Sequence, residues 1–141
     1  QPGTYRAVIR SEIAPGKLVF GQAVLPGESE RETFILSYLC HPQMANHELS
    51  GPLTQAFLNR MLKDTGPHKH TIRFLMCPEN VGAAAFLHTH GDRLKQKLDA
   101  GYIINCVGHG DVWTYKRSRQ QASRANLAAI IHCASRNSRW R

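Results

Sequence analysis

Three short, continuously apolar runs, TFILSYLC (33–40), TIRFLMC (71–77) and GYIINCV (101–107), alternate along this chain with segments of helical apolar spacing. Runs of that kind read as strands buried on both faces, and strands alternating with helices build an α/β domain around a largely parallel sheet. Leu53, Phe57, Leu58, Met61 and Leu62 predict a helix over 52–63, stopped by Thr65-Gly66-Pro67. Ala84, Ala85, Leu87 and Leu94 predict another over 82–98, and Leu127, Ile130 and Ile131 a third over 122–135. Alternation across 4–13, the Pro15-Gly16 turn and the run Leu18–Leu25 predict an antiparallel hairpin at the beginning. Val112–Tyr115 reads as a short edge strand. The expected fold is a three-layer α/β domain with a mostly parallel central sheet and an N-terminal antiparallel hairpin, formed as a single domain over 1–141.

Composition supports one packed core: 141 residues are 42% hydrophobic and 20% charged, and no apolar run is long enough for a membrane-spanning helix. A net charge of +8 invites a nucleic-acid reading, which depends on where the charge sits. Residues 1–115 carry 11 basic and 10 acidic side chains, so the excess belongs to a basic C-terminal segment, 116–141. Its seven cations are Lys116, Arg117, Arg119, Arg124, Arg136, Arg139 and Arg141, with no acid among them. The spacing of Cys40, Cys77, Cys106 and Cys133 fits neither a metal ribbon nor a secreted disulfide scaffold. The first three end apolar runs, so they read as buried, reduced thiols, and a cytoplasmic setting is expected. The chain starts at Gln1 and ends RNSRWR, which reads as a fragment or a trimmed chain.

In an open α/β sheet, ligands bind beyond the carboxyl ends of the strands. That rule selects three loops, His41–Gly51, Pro78–Gly82 and Gly108–Asp111. They bring potential metal ligands and acid–base groups: His41, His47 and Glu48, then Glu79, then His109 and Asp111. Elsewhere the bland reading fits better. His68 and His70 flank Lys69 in a polar connection, and His88 and His90, two apart on a helix, point apart. Ser50 lacks a nucleophile elbow and reads as a helix N-cap ahead of Gly51 and Pro52. His132 falls in a helical apolar pattern, and Gly108 and Gly110 in a tight turn.

Three segments in order, GQAVLPGESERETFILSYLCHPQMANHELSGP, RFLMCPENVGAAAFL and INCVGHGDVWTYKRSR, resemble the bacterial aminopeptidase-like domain family, which is related to zinc-dependent exopeptidases. The resemblance spans roughly residues 5–132. It implies an incomplete zinc-exopeptidase-like fold, because the related enzymes add a further histidine beyond where this chain stops. It implies His41 as a metal ligand and Glu79, in PENVG, as the general base. His47 stands where the family carries a metal-bridging aspartate, Glu48 where it usually has Asn, and His109 where Asp is common. Asn80 stands where the related peptidases often have a second carboxylate ligand.

Imidazole nitrogen and carboxylate oxygen bind zinc at similar distances, so His47 and His109 remain possible ligands. A neutral imidazole offers one lone pair and bridges two ions poorly, so one Zn²⁺ is expected rather than two. The leading expectation is a zinc-dependent, aminopeptidase-like hydrolase of peptide or amide bonds, with metal on His41, His47 and His109 and with Glu79 catalytic. The alternative is an inactive homologue or fragment that binds an acidic partner or nucleic acid through its basic segment. Nucleic acid is the weaker expectation, since the segment contains no recognised binding module.

Overall fold

The computed structural model describes residues 2–108, 110, 112–117 and 128–134. The strands are β1 (Gly21–Leu25), β2 (Gly27–Tyr38), β3 (His68–Cys77), β4 (Leu98–Ile104), β5 (Val112–Arg117) and β6 (Ala128–Ala134). The helices are α1 (Ala45–Glu48), α2 (Ser50–Lys63) and α3 (Val81–Lys97). One six-stranded sheet forms in the order β1-β3-β2-β4-β6-β5. The four inner strands pair in parallel, and β1 and β5 close the edges antiparallel.

The three apolar runs become β2, β3 and β4, as their composition predicts. Both faces of these strands are covered. Ile35, Phe74, Ile104 and Val107 pack against Leu58 and Leu62 of α2 on one face. Leu36, Leu75 and Cys77 pack against Phe86 and Leu94 of α3 on the other. Phe86 also stacks on Phe34, with ring centroids 5.7 Å apart. Full burial of a side chain such as Phe74 or Leu75 contributes about 1.5–3 kcal/mol. The expected three-layer, mostly parallel α/β arrangement is the one observed.

Two expectations fail locally. The N-terminal hairpin does not form: residues 2–20 hold no strand, and β1 pairs with β3, not with a preceding partner. Alternating apolar residues require a face to bury against, and Tyr5, Val8, Ile9 and Ile13 are exposed here. Pro26-Gly27 ends β1 without turning the chain back beside it. It carries the chain past the start of β3, so that β1 and β2 lie on opposite sides of that strand. A Cβ at Gly27 would overlap the backbone of His70 and Thr71, so this passage requires glycine.

The second failure is the helix over 122–135. Ala128–Ala134 is a strand, parallel to β4 with Gly101 opposite Ala128 and antiparallel to β5 with Trp113 opposite Cys133. The run AAIIHCA is short and continuously apolar, a pattern that does not separate helix from strand. The unpaired edge of β4 and the β-branched pair Ile130-Ile131 favour the ladder. His132 therefore belongs to a strand. Residues 122–127 and 135 of that predicted helix lie outside the described residues. Lys116 and Arg117 end β5, so the basic segment is partly built into the sheet.

A buried carboxylate ties β2, β3 and α3 together. Glu32 accepts from Arg73 Nε and an Arg73 guanidinium nitrogen at 2.8 and 3.0 Å, and from Arg93 at 2.8 Å. The Arg73 hydrogen bonds outweigh desolvation and hold the Glu32 carboxyl below its ordinary range. Removing one partner of such a cluster leaves buried charge uncompensated. Glu32→Ala should therefore lower stability by about 3–5 kcal/mol. Because the folded pKa is depressed, the contribution is complete above the unfolded glutamate value of about 4.3 and is lost as pH falls through the folded value. Denaturant unfolding of wild type and Glu32→Gln at stepped acid pH checks this: the variant should show the shallower acid loss.

Candidate functional site

Helices α2 and α3 leave the adjacent strands β2 and β3 toward opposite faces of the sheet. A crevice therefore opens between the carboxyl ends of those two strands, where α/β folds bind ligands. His41 follows β2 and Glu79 follows β3, so the two flank that crevice. His41 Nε2 lies 3.8 Å from Glu79 Oε2, and His47 Nε2 lies 3.9 Å from the same oxygen. The His41 and His47 rings are 5.7 Å apart. The structure thus brings together three of the four residues expected from sequence. His109, like Asp111, lies outside the described residues.

Local geometry explains how each side chain reaches its place. At the turn into α3, Asn80 has φ 56° and ψ −65°, and Val81 N–H donates to Glu79 O at 2.6 Å. This is a γ-turn of the rare positive-φ kind, and it sets Glu79 at the crevice edge. On the other side, α1 is one turn long and carries His47 and Glu48 at its end.

Glu48 stands among the candidate groups of its loop in the sequence, but its role there is not legible. It is 3% exposed, and its carboxylate accepts from the backbone N–H of Cys40 and from the His47 ring at Nδ1. Burial pushes the Glu48 carboxyl up, but N–H groups of Cys40 and His41 together with the His47 ring outweigh it, leaving it below its ordinary value. An ionised Glu48 that holds the proton on His47 Nδ1 leaves the Nε2 lone pair free on the side facing Glu79. The available signal was its place immediately after His47. It was hidden because a charged loop residue is ordinarily solvated.

Cys40, expected to be buried, is exposed, whereas Cys77 is buried and Cys106 half-buried. Cys40 Sγ donates to Glu48 Oε1 at 3.6 Å. One ligand atom each from Cys40, His41, Glu48 and Glu79 lie within 4.8 Å of one another. Tyr38 borders the group, 6.0 Å from the His47 ring, and burial together with the Glu79 charge pushes its hydroxyl pKa up.

The loop after β4 closes the third side. Val107 N–H donates to Ser50 Oγ at 2.9 Å, and Gly108 N–H donates to Asn46 Oδ1 at 2.8 Å. Ser50 is therefore not the expected N-cap. Leu49 precedes α2 and makes no side-chain cap, and Ser50 instead holds a neighbouring loop. Burial, with the charges of Glu48 and Glu79, pushes the Cys106 thiol up, so this loop lies within their field. Gly51 lets α2 approach closely, since a Cβ there would overlap the carbonyl oxygen of Ile104. Ser50→Ala should cost about 1 kcal/mol and speed hydrogen exchange at the Val107 amide, as read by amide-exchange NMR.

A family model described as "Domain of unknown function (DUF4910)" matches residues 8–140. A Clostridium acetobutylicum protein, provisionally named a polysaccharide biosynthesis protein with aminopeptidase-like domain, is 32% identical over 134 residues, covering 93% of this chain and 30% of that protein. Among solved structures, a C. acetobutylicum protein provisionally described as a peptidase superposes with a TM-score of 0.72 at 24% identity, over 83% of this chain and 36% of the other. A glutaminyl cyclase from an Acidobacteriales bacterium superposes with a TM-score of 0.52 at 16% identity, over 72% of this chain and 42% of that one. The chain thus spans about a third of the length of its relatives from C. acetobutylicum. The aminopeptidase-like resemblance read from the sequence agrees with the name of the first of these relatives, and the two solved structures share the α/β fold described above.

Proposed function

This chain belongs to the DUF4910 family, and from that premise we propose that it carries the metal-binding part of a peptidase-like hydrolase acting on peptide or amide bonds. The observation that carries the reading is the convergence of His41 and His47 on Glu79, with Glu48 behind His47. The donor set fits zinc. Two imidazoles are ordinary zinc donors. The separations of 3.8 and 3.9 Å from their Nε2 atoms put the Glu79 carboxylate within reach of a water between them. The Glu48–His47 pair matches the carboxylate–histidine arrangement that commonly backs metal-bound histidines.

His41 and His47 would hold one Zn²⁺, with His109 a further candidate ligand. Bound zinc supplies Lewis acidity toward a carbonyl and acidity to a bound water. The protein's own part is positional and acid–base. Glu48 fixes the tautomer and the ring orientation of His47. Glu79, between the two imidazoles, takes a proton from water in the crevice and passes it to the departing amine. His47 in place of a carboxylate favours one ion over two. Peptides or small amides are the proposed substrate class.

Protein purified without chelator should contain about one zinc per chain by elemental analysis, and His41→Ala should lose it. Zinc-free wild type, or zinc indifferent to His41→Ala, would rule the reading out. Glu79→Gln should keep the metal while lowering amide hydrolysis by about 10²-fold or more. Glu48→Gln should weaken zinc binding by about 10–100-fold, measured by competition with a chromophoric chelator, because the His47 tautomer is no longer enforced.

A further inference from the structure

We propose that Cys40 is a thiolate ligand of the metal, alongside the histidines. This inference rests on the metal-binding reading above and adds a donor that reading does not use. Among the described residues, Cys40 belongs to a group of four potential metal ligands with His41, Glu48 and Glu79. Its Sγ lies within 4.8 Å of donor atoms on His41, Glu48 and Glu79. Its separation from Glu48 Oε1 is 3.6 Å. The thiol thus already stands beside the carboxylate that backs His47, without any movement of β2.

Position makes this donor available. Tyr38 is the last residue of β2, so Cys40 and His41 emerge as neighbours at the strand end, tethered by the bond from Cys40 N–H to Glu48. The backbone is fixed while the thiol stays exposed. A pocket of about 220 Å³ opens onto it, lined by Leu39, Cys40, His41, Met44 and Glu48 among others. A metal ion therefore has access from solvent, and apolar walls around the donors strengthen the attraction between a thiolate and a dication.

Binding would release the Sγ proton to solvent and form a metal–sulfur bond. The Glu48 oxygen that faced the thiol keeps its bond to His47. Cys40, His41 and His47 would then supply three protein donors, the number a catalytic zinc commonly has when one position stays open, and Glu79 would remain free as a base. The thiolate also contributes a negative charge to a set whose other two donors are neutral. It makes the site softer, and so more selective for zinc over magnesium or calcium.

Cobalt(II) titration of the metal-free protein tests this without relying on activity. Wild type should develop a near-ultraviolet sulfur-to-cobalt charge-transfer band that saturates at one equivalent. The band should vanish in Cys40→Ser and persist in Cys106→Ser, whose thiol lies in the neighbouring loop. Zinc competition should show Cys40→Ser weakened by at least about tenfold. Stoichiometric cobalt binding without the band, or a band that survives Cys40→Ser, overturns the cysteine assignment and leaves a histidine site standing. Failure of wild type to bind cobalt or zinc overturns both.

Discussion

Parallel pairing of β2 with both β3 and β4 obliges the chain to return across the sheet after each strand, and it does so on alternate faces. The reversal between α2 and α3 leaves the ends of β2 and β3 adjacent but uncovered. Every candidate functional group grows from that gap. The pairing is in turn held by an ionic cluster midway along β2 and β3, where Glu32 meets Arg73 across the ladder and Arg93 on α3. The middle of the sheet is thus tied by charges that satisfy one another. The carboxyl ends of the strands present histidines and carboxylates gathered around an open crevice.

Glu48 plays the corresponding part at the crevice. Burying a carboxylate is costly unless it is fully hydrogen-bonded. Here that cost is offset by the Cys40 backbone and the His47 ring, which are the elements that need fixing. The same contacts that stabilise the anion set the direction of the His41 backbone and the tautomer of His47. Asn46 on α1 and Ser50 at the start of α2, each two residues from Glu48, fasten the loop after β4 to the same segment. The segment 40–51 therefore acts as a single bracket between two strand ends. Glycine at 51 is the only way to seat that bracket against Ile104.

Much of this was legible in the chain. The runs ending at Cys40, Cys77 and Val107 announce buried strands, and the rule for strand ends selects the loops carrying His41, His47 and Glu79. The failures share a cause. TYRAVIRSEI alternates well enough for a strand, and ASRANLAAIIHCAS is apolar at helical spacing. Local pattern cannot say whether a partner edge exists, and β4 offered one to Ala128–Ala134 where nothing in the sheet pairs with residues 4–13. Cys40 was misjudged because its apolar run ends just before it, at a strand terminus that turns outward.

By itself the sequence determined the layering, the succession of the three central strands with the two helices between them, and which loops gather the ionisable groups, because these follow from hydrophobic periodicity and from the polarity of parallel strands. Tertiary structure alone decided that Glu48 is buried and paired, that Cys40 faces the donors, and that His47 presents Nε2 rather than Nδ1. Those outcomes depend on distances between residues from separate strands and helices, and on the cost of burying one carboxylate, neither of which is encoded in any local stretch of chain.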